Sequence, residues 1–229
     1  MILGVNTASD ALAIALVEDG KVLAEALRDV GTEHSEAAFE LLEAVFKWTG
    51  RAKAELRAVG VAIGPGGFTG VRTGMSMAKT IAQVLGIPIY GVETLPALAL
   101  QFAGHGLVSP MIDARRGLVY MGVYGETAVV PGALRPLAEA IEILRGLQGP
   151  LTLVGEGVVR HRAALAEALP QAFIPPDVLM TARAAPVALA SERRLKAGDP
   201  GDGPTLAPLY LREPQAVVNW EAAQENAQP

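Results

Sequence analysis

Residues 64–86 read GPGGFTGVRTGMSMAKTIAQVLG, and how this stretch is parsed decides the fold. Four glycines fall in its first seven positions, and an unbroken run of helical character follows. Just before it, AVGVAIG (58–64) is a short apolar segment typical of a buried strand. The chain therefore passes from strand to glycine turn to helix. Such a turn can cradle a phosphate or simply let two backbones pack closely. GxxxxGK[ST] is not matched, because the spacing from Gly64 to Gly70 is wrong and Val71-Arg72 stands where Lys-Ser/Thr is needed. GxGxxG fails as well, with Thr69 in place of its last glycine. Gly64-Pro65-Gly66-Gly67 instead suits a tight turn with proline second and a positive-φ glycine third, at Gly66. The helix N-terminus behind the turn leaves anion binding open, although glycine's permissive backbone explains the loop without a ligand.

The helix after the loop is apolar on two sides. Met75, Ala78, Ala82 and Leu85 form one stripe, and Met77, Ile81 and Val84 another. The preceding helix, within residues 32–50, repeats the pattern: Phe39, Leu42 and Phe46 form one stripe, Leu41, Val45 and Trp48 its neighbour, and Glu36, Glu40 and Glu43 the remaining arc. Thr32 is its expected N-cap and Gly50 its stop. Both stripes of each helix could meet one core, but the same excess on two adjacent helices predicts an apolar patch that a partner covers. The expected contacts are Phe39, Leu42, Phe46, Arg72, Met75, Ala78 and Ala82. Two-fold symmetry would let that patch meet itself in a homodimer.

Outward from these helices, ILGVN, ALAIALV and KVLAEALR predict a three-stranded antiparallel meander, with Asp19-Gly20 as its two-residue hairpin turn. IPIYGV is a further strand, and a helix begins near Thr94, so the order is β-β-β-α-β-α-β-α. A similar order recurs beyond Gly104. VSPMIDA and GLVYMGVYG form a hairpin around Arg115-Arg116, TAVVP adds a strand, and 137–147 is a helix. LTLVG and helices over 159–169 and 184–197 follow. The halves match in topology rather than in sequence. The fold class is thus α/β, a duplicated ribonuclease-H-like, two-lobed architecture of the actin, Hsp70 and sugar-kinase group, in which nucleotide occupies the cleft between halves. Residues 1–104 form the first lobe, 105–212 a smaller second lobe, and 213–229 a tail whose polar end reads as disordered and whose Trp220 can dock.

Composition limits function. With 229 residues, 51% apolar and 19% charged, the chain can bury a full core. MILGVNTASD carries no export signal, and no charge-free run approaches the roughly 20 residues that span a bilayer. The absence of cysteine excludes disulfides, thiolate metal sites and cysteine nucleophiles, and agrees with a cytoplasmic location. A net charge of −5 opposes a broad nucleic-acid face on this chain alone.

GVNTAS, TEHSE, GPGGFTGVRTGMSMAKTIA, YGVETL, IDARRGLVYMGVY and LAPLYLR, in this order, resemble the TsaB (YeaZ) family over nearly the whole chain. The resemblance implies a noncatalytic subunit that supports TsaD, where the transfer chemistry lies, in making N6-threonylcarbamoyladenosine on tRNA. It also implies TsaE in the same complex, tRNA contact only through that complex, no cofactor on this chain alone, and ATP or ADP at the complex. TsaD-like relatives carry two histidines four apart on a helix for metal; His34 stands at the first, but the second is Ala38, so no metal is expected. Family members commonly have aspartate where this chain has Asn6, and an amide is neither a general base nor a charged metal ligand.

The remaining motifs are weak. No HExxH or GxSxG is present. Asp113 ends the equivalent strand of the second half, followed by Arg115 and Arg116; a solvated hairpin and a ligand contact both fit. GEGVV, 155–159, lies where the fold group has an adenosine-contacting loop. No catalytic residue is assigned. His34, Gly64, Gly66, Gly67, Gly70, Asp113 and Arg115 are read as ligand contacts or as loop structure. Two enzymatic alternatives are a self-sufficient nucleotide-dependent phosphotransferase and a glycoprotease-like peptidase.

Overall fold

A computed structural model describes residues 1–29 and 34–211. The first sheet is five-stranded, in the order β3-β2-β1-β4-β5, from β1 (Ile2–Asn6), β2 (Ala11–Glu18), β3 (Lys21–Asp29), β4 (Ala58–Gly64) and β5 (Ile89–Glu93). β1–β3 form the expected antiparallel meander, turned by Asp19 and Gly20 at φ 50° and 76°, and β4 and β5 add in parallel. Strand alternation decides what covers each face. Leu3, Val5, Leu12, Ile14, Leu16, Val59 and Val61 share a core with α1 (His34–Thr49) and α2 (Phe68–Leu85). The opposite face carries Gly4, Ala13, Ala15 and Gly60. Their small size lets α7 (Ala185–Lys196) approach closely: a Cβ on Gly4 would strike the Ala184 carbonyl, and one on Gly60 the Ser191 hydroxyl.

A second sheet, β8-β7-β6-β9, is built from β6 (Leu107–Asp113), β7 (Leu118–Tyr124), β8 (Ala128–Pro136) and β9 (Leu151–Val154). It repeats the pairing of the first sheet, two antiparallel neighbours and then a parallel one, without a fifth strand. Met111, Val119, Met121, Val123 and Leu153 pack on α4 (Leu137–Arg145), α5 (Glu156–Arg160) and α6 (Arg162–Ala168). The helix expected over 159–169 is in fact two. α5 starts three residues earlier, at Glu156, and His161, at φ −108° and ψ 18°, separates it from α6. TAVVP is the first half of a longer strand that runs to Pro136.

Helix α3 (Thr94–Leu100) touches β4 and β5 on one side and β6 and β7 on the other, linking the sheets. α7 follows the second sheet in sequence but lies across β1, β2 and β4 of the first. Glu25 of β3 caps it, accepting from the Ala184 and Ala185 N–H groups at 2.8 and 2.9 Å and pairing with Arg183. Glu192 accepts from the Asp19 and Gly20 N–H groups, which fastens the β2–β3 hairpin to the same helix. Residues 199–211 then cross back over the outer edge of β5. Among the described residues no helix is long and apolar enough to cross a membrane. The expected N-cap Thr32 and the tail 213–229 with Trp220 lie outside the described residues.

Candidate functional site

The glycine turn lies against the end of β1. Gly64 is at φ 112° and the Gly64–Pro65 peptide is cis, so the positive φ falls at Gly64 and not at Gly66 as expected. Gly66 has a different need: a Cβ there would collide with the Ala8 carbonyl, which accepts the Gly67 N–H at 2.8 Å. Gly67 is the N-cap of α2, in extended backbone. One turn on, the buried Thr7 hydroxyl donates to the Gly70 carbonyl at 2.7 Å, and a Cβ on Gly74 would meet that hydroxyl. The glycines thus bring α2 down onto the β1 end, and the turn amide of Gly67 is directed at protein backbone.

Asn6, 2% exposed, uses both halves of its amide. Its Nδ2 donates to the Arg183 carbonyl at 3.0 Å, and its Oδ1 accepts the Ala8 N–H at 3.1 Å. An aspartate here would set oxygen against the Arg183 carbonyl, which gives the asparagine a structural reason.

At the matching end of β6, Asp113 accepts from Arg160 Nε at 3.0 Å and from the Arg115 N–H at 3.3 Å, with His161 Nε2 at 3.4 Å. Arg115 and Arg116 occupy left-handed backbone, φ 65° and 54°, with exposed side chains. Gly155, at φ 101°, and Gly157 allow α5 to cross the β6 end, where a Cβ on either would press on the Met111 backbone. Between them sits Glu156, whose carboxyl is pushed up to about 7, first by burial and then by the charges of Asp10 and Asp113, against the pull of Arg160. Asp10, in the turn after β1, is thus near enough to act across from the first sheet. Sequence reasoning noted this loop for its glycines and missed its glutamate.

The helices present a different kind of surface. A groove of about 450 Å³ between α1 and α2 is lined by Ala38, Phe39, Arg72, Thr73, Ser76, Met77, Thr80 and Ile81. Phe39 is 64% exposed on one side, and Val84, 77% exposed, continues the Met77 and Ile81 line beyond the other end. Of the residues expected at the partner surface, Phe39 and Arg72 are on the outside. Leu42, Phe46, Ala78 and Ala82 belong to the core beneath, and Met75 is 5% exposed. Each helix buries parts of both stripes in one core, because its covered arc is wider than a single stripe, and only the stripe edges emerge. Trp48 is 63% exposed but nine residues, or half a turn of phase, from Phe39, so it does not extend the face. Of His34 only the backbone, as the first residue of α1, is described. Among the described residues no three His, Cys, Asp or Glu side chains stand close enough to hold a metal ion.

Arg72 is held by residues that the sequence pattern did not indicate. Its guanidinium carbon lies 3.9 Å over the Phe68 ring, its Nε donates to the Tyr210 hydroxyl at 2.8 Å, and the two rings stack with centroids 5.3 Å apart.

The family model described as "TsaD: tRNA N6-adenosine threonylcarbamoyltransferase" matches residues 28–220. The tRNA threonylcarbamoyladenosine biosynthesis protein TsaB of Bacillus subtilis (strain 168) is 32% identical over 231 residues, covering 98% of this chain and 99% of the relative. The chain belongs to the TsaB (YeaZ) family. In agreement, the solved structure of YeaZ from Pseudomonas aeruginosa superposes with a TM-score of 0.76 at 22% identity, over 91% of this chain and 98% of that one. A ROK hexokinase from Thermus thermophilus superposes with a TM-score of 0.52 at 14% identity, over 86% and 99% of the two chains. That likeness concerns the fold alone, and it places this TsaB-family chain in the actin and sugar-kinase architecture expected from its element order. A TsaB-family chain has its role in threonylcarbamoyladenosine biosynthesis.

Proposed function

We propose that this chain is the noncatalytic TsaB subunit of the complex that makes N6-threonylcarbamoyladenosine on tRNA, and that it pairs with a TsaD protein through the groove between α1 and α2. The groove carries the proposal: it is apolar along Phe39, Met77 and Ile81, it opens outward, and it sits on two helices braced by a common core. The bonding of the strand-end groups supports the noncatalytic assignment. Asn6 and Asp113, which stand where a phosphotransferase would keep its carboxylates, are occupied with Arg183, Ala8, Arg160 and Arg115. In this reading residues 1–104 are the lobe that meets TsaD and residues 105–212 run through the second lobe, with α7 and the strap over 199–211 returning to pack on the first. TsaE and tRNA join through the complex, ATP or ADP binds there, the location is cytoplasmic, and the isolated chain pairs with itself through the same face.

The test uses the purified chain and the TsaD protein of the same organism. A Phe39→Asp, Ile81→Asp double variant is expected to weaken TsaD binding at least a hundredfold, about 3 kcal/mol, with an unchanged circular dichroism spectrum. The same variant should lose self-association in sedimentation. Undiminished TsaD binding would overturn the assigned face. Robust ATP or peptide hydrolysis by the repurified chain alone, abolished in Asp113→Ala, would favour the enzymatic alternatives.

A further inference from the structure

The α1/α2 groove has one charged end, Arg72, held by Phe68 of the same helix and by Tyr210 from 138 positions further along the chain. Arg72 sits in the second turn of α2 and lines the groove. Phe68 supports the face of its guanidinium and Tyr210 takes its Nε, so its described partners are an aromatic ring and a phenol, neither of which neutralises it. Among the described residues, the two terminal nitrogens remain as a fork of donors at the groove mouth.

Tyr210 is itself held firmly. Arg194 of α7 grips Asp202 through both terminal nitrogens, at 2.8 and 3.0 Å, and Asp199 through Nε at 2.7 Å, which holds both carboxyls below the usual carboxylate range. Asp202 also accepts the Gly91 N–H at 2.6 Å, Leu206 packs on the first core, and the Leu209 N–H donates to the Ile63 carbonyl at 2.8 Å. The strap over 199–211 therefore delivers Tyr210 to Arg72 from a series of fixed anchors. The α2 sequence, FTGVRTGMSMAKTIAQVL, contains two cations, Arg72 and Lys79, and no acid. Of these, Lys79 already donates to the Pro204 carbonyl at 2.9 Å.

We infer that Phe68, Arg72 and Tyr210 form a preorganised carboxylate receptor at the end of the α1/α2 groove, and that TsaD, while filling the groove with apolar side chains, places an Asp or Glu carboxylate on Arg72. This rests on the partner face proposed above and adds the chemistry of the segment that enters it. A guanidinium already fixed by stacking and by one hydrogen bond loses little freedom on pairing, which is why the clamp raises affinity without itself touching the partner. Phe68 and Tyr210 are in this sense positioning residues.

The experiment measures TsaD affinity by calorimetry at about 50 and 500 mM NaCl, with the full chain, for the wild type and three variants. Arg72→Ala is expected to weaken binding about tenfold at low salt and to flatten most of the salt dependence. Arg72→Lys should recover less than half of that loss, because lysine has charge but no fork. Tyr210→Phe keeps the ring stack and removes the hydroxyl; a loss of about threefold is expected, with wild-type circular dichroism and an unchanged melting temperature. Arg72→Ala binding within twofold of wild type at low salt, or full recovery by lysine, overturns the receptor. If Arg72→Ala proves poorly folded, Tyr210→Phe decides, and wild-type affinity in that variant overturns the clamp. Retained binding in Arg72→Ala alongside loss in the Phe39→Asp, Ile81→Asp double variant overturns this inference alone. Failure of the wild-type chain to bind TsaD overturns both.

Discussion

The two lobes run the same plan and end it differently. In each, the strand that pairs in parallel with the first one closes on a glycine of positive φ, Gly64 as the last residue of β4 and Gly155 just after β9, and the next helix packs over the end of the neighbouring strand. In the first lobe that helix is α2, continuous for 18 residues. With α1 it carries an apolar groove. In the second lobe the helix breaks at His161 after 5 residues, and its first position holds a half-buried carboxyl that feels the charges of Asp10 and Asp113. Among the described residues, the duplicated scaffold thus carries an exposed apolar groove in one copy and a strand end with opposed carboxyls in the other.

The sharpest way to break this comparison is at the glycines. Gly66→Ala puts a Cβ onto the Ala8 carbonyl oxygen and should destabilise the first lobe by about 3 kcal/mol, read as a lower urea midpoint. Gly157→Ala, whose Cβ would sit 3.0 Å from the Met111 carbonyl carbon, should cost only about 1 kcal/mol. Equal losses would mean that the two strand ends are equally tight.

A smaller effect sharpens the electrostatic half. The folded-state pKa of Glu156, about 7, lies above the ordinary glutamate value of 4.5, so between these values the native protein holds a proton that the unfolded chain has already released. Its contribution to stability is therefore greatest at low pH and falls as pH rises between these two values, with the loss complete above the higher one. Glu156→Gln should stabilise the protein by about 2 kcal/mol at pH 8 and by nothing at pH 4.5. Thermal melts at the two pH values check this, and a gain of the same size at both would show that the charge of Glu156 is not its source.

The smallest change tests the end of β1. Asn6→Asp replaces a donor to the Arg183 carbonyl with an acceptor and should destabilise by about 1–2 kcal/mol without producing phosphate release from ATP. A stable, ATP-hydrolysing variant would show that the amide was all that separated this lobe from a phosphotransferase.

Local signals carried much of the fold. Short apolar runs and the Asp19-Gly20 turn marked β1–β3, and AVGVAIG marked β4 to the residue, because a buried strand and a tight turn depend on neighbours in sequence. The break at His161 was not legible, since residues 159–169 keep helical composition throughout. The strap over 199–211 was not legible either, since its order comes from Arg194 and the edge of β5 rather than from any repeat of its own. At the site, the paired stripes announced an exposed apolar face, but which stripe edges surface depends on how the two helices seat on the sheet. Phe39 and Arg72 emerged while Leu42, Phe46, Met75, Ala78 and Ala82 went beneath.

By itself, then, the sequence determined the order of elements, the family through its spaced motifs, and the fact that two adjacent helices each carry two apolar stripes. Tertiary structure alone decided that Arg72 meets Tyr210 across 138 positions, that Asn6 faces Arg183 and that Glu156 feels Asp10. The reason is range: alternation, capping and turn chemistry act over a few residues and leave a periodic trace, whereas stacking, buried hydrogen bonds and charge coupling act through space between segments whose separation along the chain leaves none.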